Sequence, residues 1–302
     1  MAITTGVYTT RETVKRALDI EETARNNRNI DRCIESAARR IDGLCHRIFY
    51  PRIETKHFDW PNEQGAVPWR LWLDDTELIS VTTLLSGGTA IASSDYNLEP
   101  NRVGPPYNRV EINIGTSASF GGGSTPQRDI TITGLWGFSN DEVTLSTVAE
   151  ALDSTEPGVD VDAATSSEVG VGSILRIDTE RMLVTGRAQL TTGQTVGGSG
   201  LTAVKNDVTV AVTSGASFSI DEIIAIDSER MLIVDITGNS LTVLRAYDGS
   251  VLATHAAGVT IYAQRTLTVV RGAFGTTAAT HSSGPTVYAW KPPPSIRQLN
   301  TT

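Results

Sequence analysis

Much is scarce in this chain of 302 residues, and each scarcity argues against a class of function. It holds only two cysteines, Cys33 and Cys45, and four histidines. The cysteines fall in a stretch that reads as one helix, where their spacing puts them about 18 Å apart, too far for a disulfide. Both are expected as free thiols of a protein made in a cytoplasm. No His/Cys pair has zinc-ligand spacing, and His46 and His57 stand far in sequence from His255 and His281, so no metal and no other cofactor is expected. No apolar run approaches the roughly 18 residues of a membrane span. The start, MAITTGVYTTRE, lacks the basic opening and apolar core of a signal peptide. Phosphate-cradling glycine motifs and nucleophile-elbow serines are likewise missing.

Positive charge is thin and unevenly placed. The formal net charge is −9. Residues 1–60 hold 11 of the 25 Lys and Arg against 9 of the 34 Asp and Glu, so the acidity lies in the rest. An acidic remainder argues against tight unspecific nucleic-acid binding, which needs clustered Lys and Arg at phosphates.

What is present begins with Asn29 to Tyr50, NIDRCIESAARRIDGLCHRIFY. Apolar residues recur at Ile30, Ile34, Ala37, Ile41, Leu44 and Ile48 in steps of three and four, which predicts one face of a long helix. Asn29 is the expected N-cap, Asp31 suits the positive end of the dipole, and Pro51 is the expected stop. A shorter helix precedes it, with Thr9 and Glu12 at capping-box spacing, so the two are expected to form a hairpin. From Arg52 the period becomes two: HFDWP, WRLWL, LISVTTLL with a Gly87-Gly88 turn, YNL, RVEINI and RDITITGLWGF read as strands. Phe58, Trp60, Trp69, Trp72 and Trp136 are expected to pack this small sheet on the long helix, and SASFGGGST to be a flexible loop.

Residues 143–290 are rich in Thr, Ser, Gly, Ala and Val and read almost wholly as strand, with an internal repeat. GVGSILRIDTERMLV (170–184) matches SIDEIIAIDSERMLI (219–233), and LTVLRAYDGSVLATHAAGVTIYA (241–263) matches LTVVRGAFGTTAATHSSGPTVYA (267–289). The order of these blocks implies nesting: one unit at about 204–263 lies inside a second split into 146–190 and 265–290, with TTGQTVGGSGL as crossing linker. The fold class expected is therefore α+β, an N-terminal helical hairpin with a small β-sheet plus a large all-β inserted region with a nested repeat. The expected domains are 1–142, 143–290 and a C-terminal docking segment, 291–302.

Two acid–base clusters can be drawn from the repeat: Asp178, Glu180, Arg181 and His281, and Asp227, Glu229, Arg230 and His255. On a strand, Asp178 and Glu180 would share one face, and Glu–Arg pairing across strands accounts for both charges structurally. A polar set occurring twice favours repeated architecture over two active sites, so the chain is expected not to be an enzyme.

Taken in order, TTRETVKRALDI, ARRIDGLCHRIFYP, DWP, RLWLDDTELISVTTL, DYNLEP, YNRVEI, RDITITGLWGF and YAWKPPPSIRQL resemble a head-to-tail adaptor (connector) protein of long-tailed double-stranded DNA bacteriophages. The likeness covers about 5–140 and 286–298. It departs from the family in the β insertion and in a closing helix cut short at Thr302. The resemblance implies a virion protein of the neck, assembled in the host cytoplasm. The family forms a ring, commonly a dodecamer, that joins the portal at the capsid vertex to a downstream neck or tail-completion protein. By the same resemblance, double-stranded DNA is expected to pass through the lumen without specific binding, the insertion to project outward toward the capsid, and no membrane to be involved. Interface residues implied are Arg32, Glu35, Arg39, Arg40 and Arg47 on the helix, Trp290 at the end of the insertion, and Pro292, Pro293, Pro294, Ile296 and Arg297 in the docking segment. The alternatives are a carbohydrate-binding or host-adhesion β module and, third, a hydrolase.

Overall fold

The computed structural model describes residues 3–18, 26–61, 67–73, 77–102 and 104–292. Most regular structure is β, with few helices. No helix among the described residues is long and apolar enough to cross a membrane. The expected docking residues Pro293, Pro294, Ile296 and Arg297 lie outside the described residues.

Helix α1 (Arg11–Ala17) is capped by Thr10 and not by Thr9; the Thr10 hydroxyl accepts the Thr13 N–H at 3.1 Å. Glu12 does not close a capping box but accepts the Val171 N–H at 2.7 Å. Helix α2 (Asn27–Cys45) starts two residues before the expected cap at Asn29. It ends at His46, whose φ of 51° turns the chain left-handed well before Pro51. Asp31, Ile34 and Ala38 are its buried residues, while Ala37 is exposed and Leu44 is 73% exposed. The predicted apolar face is thus rotated. On the buried face Arg11 Nε and Nη2 donate to the two Asp31 oxygens at 2.8 and 2.6 Å, which lets that carboxylate stand inside.

The chain divides into two compact units, one of residues 39–141 with 274–276, the other of 1–38, 142–273 and 277–302. This differs from a boundary at 142 alone, because the first residues are built into the β part. Ile3, Val7 and Tyr8 are buried, Ile3 and Val7 lie over Gly172, and the Tyr8 and Trp290 rings are 6.3 Å apart. Arg16 pairs with Asp221 at 2.9 Å, and Lys15, itself buried, pairs with Asp248. Helix α1 is thus held to α2 through Arg11 and Asp31 and clamped by charge to β loops as well.

In the smaller unit β1 (Arg52–Phe58), β2 (Arg70–Trp72), β3 (Leu78–Ser86), β4 (Thr89–Ala90), β5 (Tyr96–Glu99), β6 (Arg109–Ile112) and β7 (Ile130–Trp136) follow the strands read from the sequence. They form a four-stranded sheet, β1-β7-β3-β4, and a three-stranded one, β2-β6-β5. Along β7 burial alternates residue by residue, as a strand with one core face requires. Phe58, Leu71, Leu78, Val110, Ile132 and Trp136 belong to one core fed by both sheets, with Trp60 and Trp69 packed against it. Trp72 is the exception: it is 53% exposed, beneath the Arg109 guanidinium. The glycine-rich loop is pinned and not free. Phe120 is buried, and Gly121 (φ +102) lies so close over Trp60 that a Cβ would meet the ring at 3.0 Å. Ser86 Oγ accepts the Gly121 N–H at 2.8 Å and lies 2.9 Å from Asp129 Oδ2 as its donor.

The larger unit holds β8 (Glu142–Thr147), β9 (Gly158–Asp160), α3 (Ala163–Glu168), β10 (Ile174–Ile177), β11 (Glu180–Thr195), β12 (Thr209–Ala211), β13 (Ile223–Ile226), β14 (Glu229–Thr237), β15 (Ser240–Leu244), β16 (Thr260–Ala273) and β17 (Thr286–Trp290). One sheet runs β12-β15-β14-β13-β16-β11-β10-β17-β8, with β9 added against β16. The expected crossing linker begins as strand: TTGQT completes β11, with Thr191 opposite Tyr262 and Thr195 opposite Thr260. Among the described residues two large apolar cores result, beside a small cluster of Ile223, Leu232 and Tyr247. One gathers Val148, Leu152, Leu175, Met182, Leu267 and Val287 among others, the second Val196, Leu201, Ile224, Met231, Leu241 and Ile261 among others.

Replacing Lys15 with Met leaves the buried Asp248 carboxylate to Arg230, which pairs with it at 3.0 Å. Urea unfolding of the Lys15→Met variant is expected to show a loss of about 1–3 kcal/mol, partly recovered when Asp248→Asn is added.

Candidate functional site

The two drawn clusters form at hairpins of the same design. In each, a two-residue turn joins strands in register: Ile177 faces Glu180 across Asp178-Thr179, and Ile226 faces Glu229 across Asp227-Ser228. Asp178 and Asp227 have φ of 50° and 53°. They are turn residues in the left-handed region, which Asp tolerates, and not strand residues sharing a face with the glutamates.

In the second hairpin Glu229 and Arg245 side chains are wholly buried. Arg245 Nε and Nη2 donate to the two Glu229 oxygens at 2.7 and 2.8 Å. The N–H groups of Ala246 and Ala253 add bonds of 2.9 and 3.0 Å to the same carboxylate. His255 Nε2 lies 2.9 Å from Glu229 Oε2, and its Nδ1 lies 2.7 Å from Asp227 Oδ2. Arg245 uses its remaining donors on the carbonyls of Thr202, Asp207 and Ala253.

The first hairpin repeats this bond for bond. Arg271 donates to Glu180 at 2.8 and 2.9 Å, and Gly272 and Ala279 N–H groups donate at 2.8 and 3.0 Å. His281 stands between Glu180 at 2.9 Å and Asp178 at 2.8 Å. Arg271 also reaches the carbonyls of Asp153, Glu156 and Ala279. The loops after the arginines match in conformation too, with positive φ at Ala246, Asp248 and Gly249 and at Gly272, Phe274 and Gly275. His255 bridges to Leu201, and His281 to Leu152.

This geometry limits the chemistry. Burial by itself would raise the Glu180 and Glu229 carboxyls, but the arginine, the two backbone donors and the histidine outweigh it and hold each at about 2. A carboxylate offers about four lone-pair sites, and here donors occupy them all. Such a group has no oxygen left to take a substrate proton. Arg181, drawn into the first cluster from sequence, goes elsewhere: it joins Arg176 on Glu142 at 2.9 and 2.6 Å. Arg230 likewise binds Asp248. Sequence reading missed the Glu142 pair and the buried Glu222–Arg265 pair, 2.7 Å apart, because each joins residues remote in the chain.

The expected interface residues are scattered in environment. Arg32 and Arg40 are exposed on α2. Glu35 accepts from Thr4 and Thr5, Arg39 pairs with Asp42 at 3.1 Å, and Arg47 pairs with Glu77. Trp290 is 5% exposed in β17, so this expected interface residue is part of the fold, while Pro292 is half-buried.

No protein-family model, curated protein or solved structure matches the chain. The residues alone carry the functional argument.

Removing one arginine leaves a buried, ionised glutamate, so Arg245→Met and Arg271→Met are each expected to cost about 3–5 kcal/mol in chemical denaturation. The carboxyls sit below their unfolded value, so their stabilisation is complete above about pH 4.5 and is lost as the pH falls toward 2. Unfolding midpoints measured across that range should fall steeply for the native chain and more shallowly for Glu180→Gln/Glu229→Gln.

Proposed function

We propose that this chain is a structural protein of the phage neck, a ring-forming adaptor that joins the portal at the capsid vertex to tail-side neck proteins around the DNA channel. One observation carries the structural half of this reading: the glutamate, arginine and histidine of each cluster are buried and saturated by their own chain, and only the turn aspartates Asp178 and Asp227 stay exposed. The ordered likeness of residues 5–140 and 286–298 to connector proteins carries the virion half. The β region is then an insertion made of one module present twice, with a unit at about 204–263, whose core also takes in Val196 and Leu201, nested in a unit split around it. The membership of the two cores and the matched bonds around Glu180 and Glu229 support that reading.

In the ring, neighbouring α2 helices would meet through the exposed Arg32 and Arg40, with carboxylates of the next subunit opposite. Such pairs fix register more than they add affinity. A glycan-binding β module needs aromatics lined along an exposed face. Phe218, Tyr247 and Trp290 are instead buried, and Tyr288 carries the Arg176 guanidinium 4.2 Å above its ring.

Native mass spectrometry of the purified protein, alone and mixed with the portal protein of the same phage, tests the proposal. A ring of about a dozen copies or a stoichiometric portal complex is the expected outcome. A monomer indifferent to portal would overturn it.

A further inference from the structure

The smaller unit contains a cavity of about 390 Å³, within the range that accommodates a small ligand. Its walls come from the end of α2, from β1 and from the end of β7. Trp136 forms an apolar surface whose one polar atom is already used, since Nε1 donates to the Glu54 carbonyl at 3.0 Å. Across this ring stands Lys56, its ammonium 4.6 Å from the centroid.

The charges on the walls do not balance locally. Arg47 is matched by Glu77. Arg52 and Lys56, however, share the single carboxylate of Glu54, Arg52 at 3.0 Å and Lys56 at the longer 3.8 Å. Burial holds the Lys56 ammonium below its ordinary value, with Glu54 opposing and Arg52 adding to the effect. One further anion beside Arg52 and Lys56 would relieve this. Glu77, which lines the same cavity, has the complementary need. Among the described residues Glu77 Oε2 is buried without a hydrogen-bond partner, and burial raises that carboxyl despite Arg47. Asp42, which also lines the cavity, is paired with Arg39.

An occupant must therefore offer a negative group on one side and an N–H on the other. Phosphate as the dianion keeps a single O–H donor but would set its double negative charge against Glu77. An aspartate within a peptide offers both, a carboxylate and neighbouring backbone N–H groups. We infer that this cavity receives an acidic side chain of a partner polypeptide, its carboxylate between Arg52 and Lys56 and a backbone N–H at Glu77 Oε2. The inference rests on the cavity alone and holds whether or not the chain is a neck protein.

The test is an NMR titration of the full chain with acetyl-Gly-Asp-Gly-amide, following the Trp136 indole resonance identified with a Trp136→Phe variant. Acetyl-Gly-Asn-Gly-amide and inorganic phosphate are the comparison probes. The Asp peptide should shift the resonance saturably, and both the Asn peptide and the Lys56→Met variant should weaken binding at least about tenfold. Arg52→Gln should act in the same direction and decides the matter if Lys56→Met does not fold. Absence of saturation at about 10 mM Asp peptide, equal binding by the Asn peptide or phosphate, or unchanged affinity in folded variants would overturn the inference.

Discussion

The interaction on which the β region depends is the buried bidentate pair of a glutamate and an arginine, closed on its free side by a histidine. It occurs at Glu229–Arg245–His255 and again at Glu180–Arg271–His281. Two opposite charges without solvent are costly to desolvate and stabilise a fold only when every remaining donor and acceptor is matched. Here backbone N–H groups complete each carboxylate and backbone carbonyls complete each guanidinium. The pair therefore organises three separate chain segments at once: the hairpin with the glutamate, the loop after the arginine, and the loop that supplies carbonyls.

That constraint explains the backbone around it. A side chain at positive φ is disfavoured, yet both loops after the arginines adopt it at the same places, including the bulky Phe274. The N–H of the residue after each arginine must point at the glutamate, and the loop follows. Its tip is where the two differ. Asp248 accepts Lys15 and Arg230, while Phe274 meets the Tyr50 ring at 5.2 Å and accepts the Ile53 N–H through its carbonyl at 2.8 Å. One loop geometry thus carries a charge in one place and an aromatic ring in the other.

Part of this was legible beforehand. The strands of the smaller unit follow from period-two burial, most plainly in β7, and the glutamate of the shared ERML, with the shared Arg and His positions, marks the residues that meet in both clusters. The rest escaped for physical reasons. The loops at 153–156 and 202–207 contribute through backbone carbonyls, which any residue can supply, so no shared side chain marks them. The left-handed turn at His46 ends α2 without a glycine to announce it. Asp31 looked like a dipole residue because its partner Arg11 lies in another helix. The glycines near Phe120 read as slack, although Gly121 is small so that Trp60 can approach it.

Hydrogen exchange of the native chain and of the two arginine variants tests most directly whether each cluster clamps its own core. Arg271→Met should speed exchange at amides of Leu175, Val184 and Val269 while those of Ile224, Ile233 and Val243 keep their protection, and Arg245→Met should do the reverse. Equal loosening of both cores by either variant, or no loosening by either, would contradict the account.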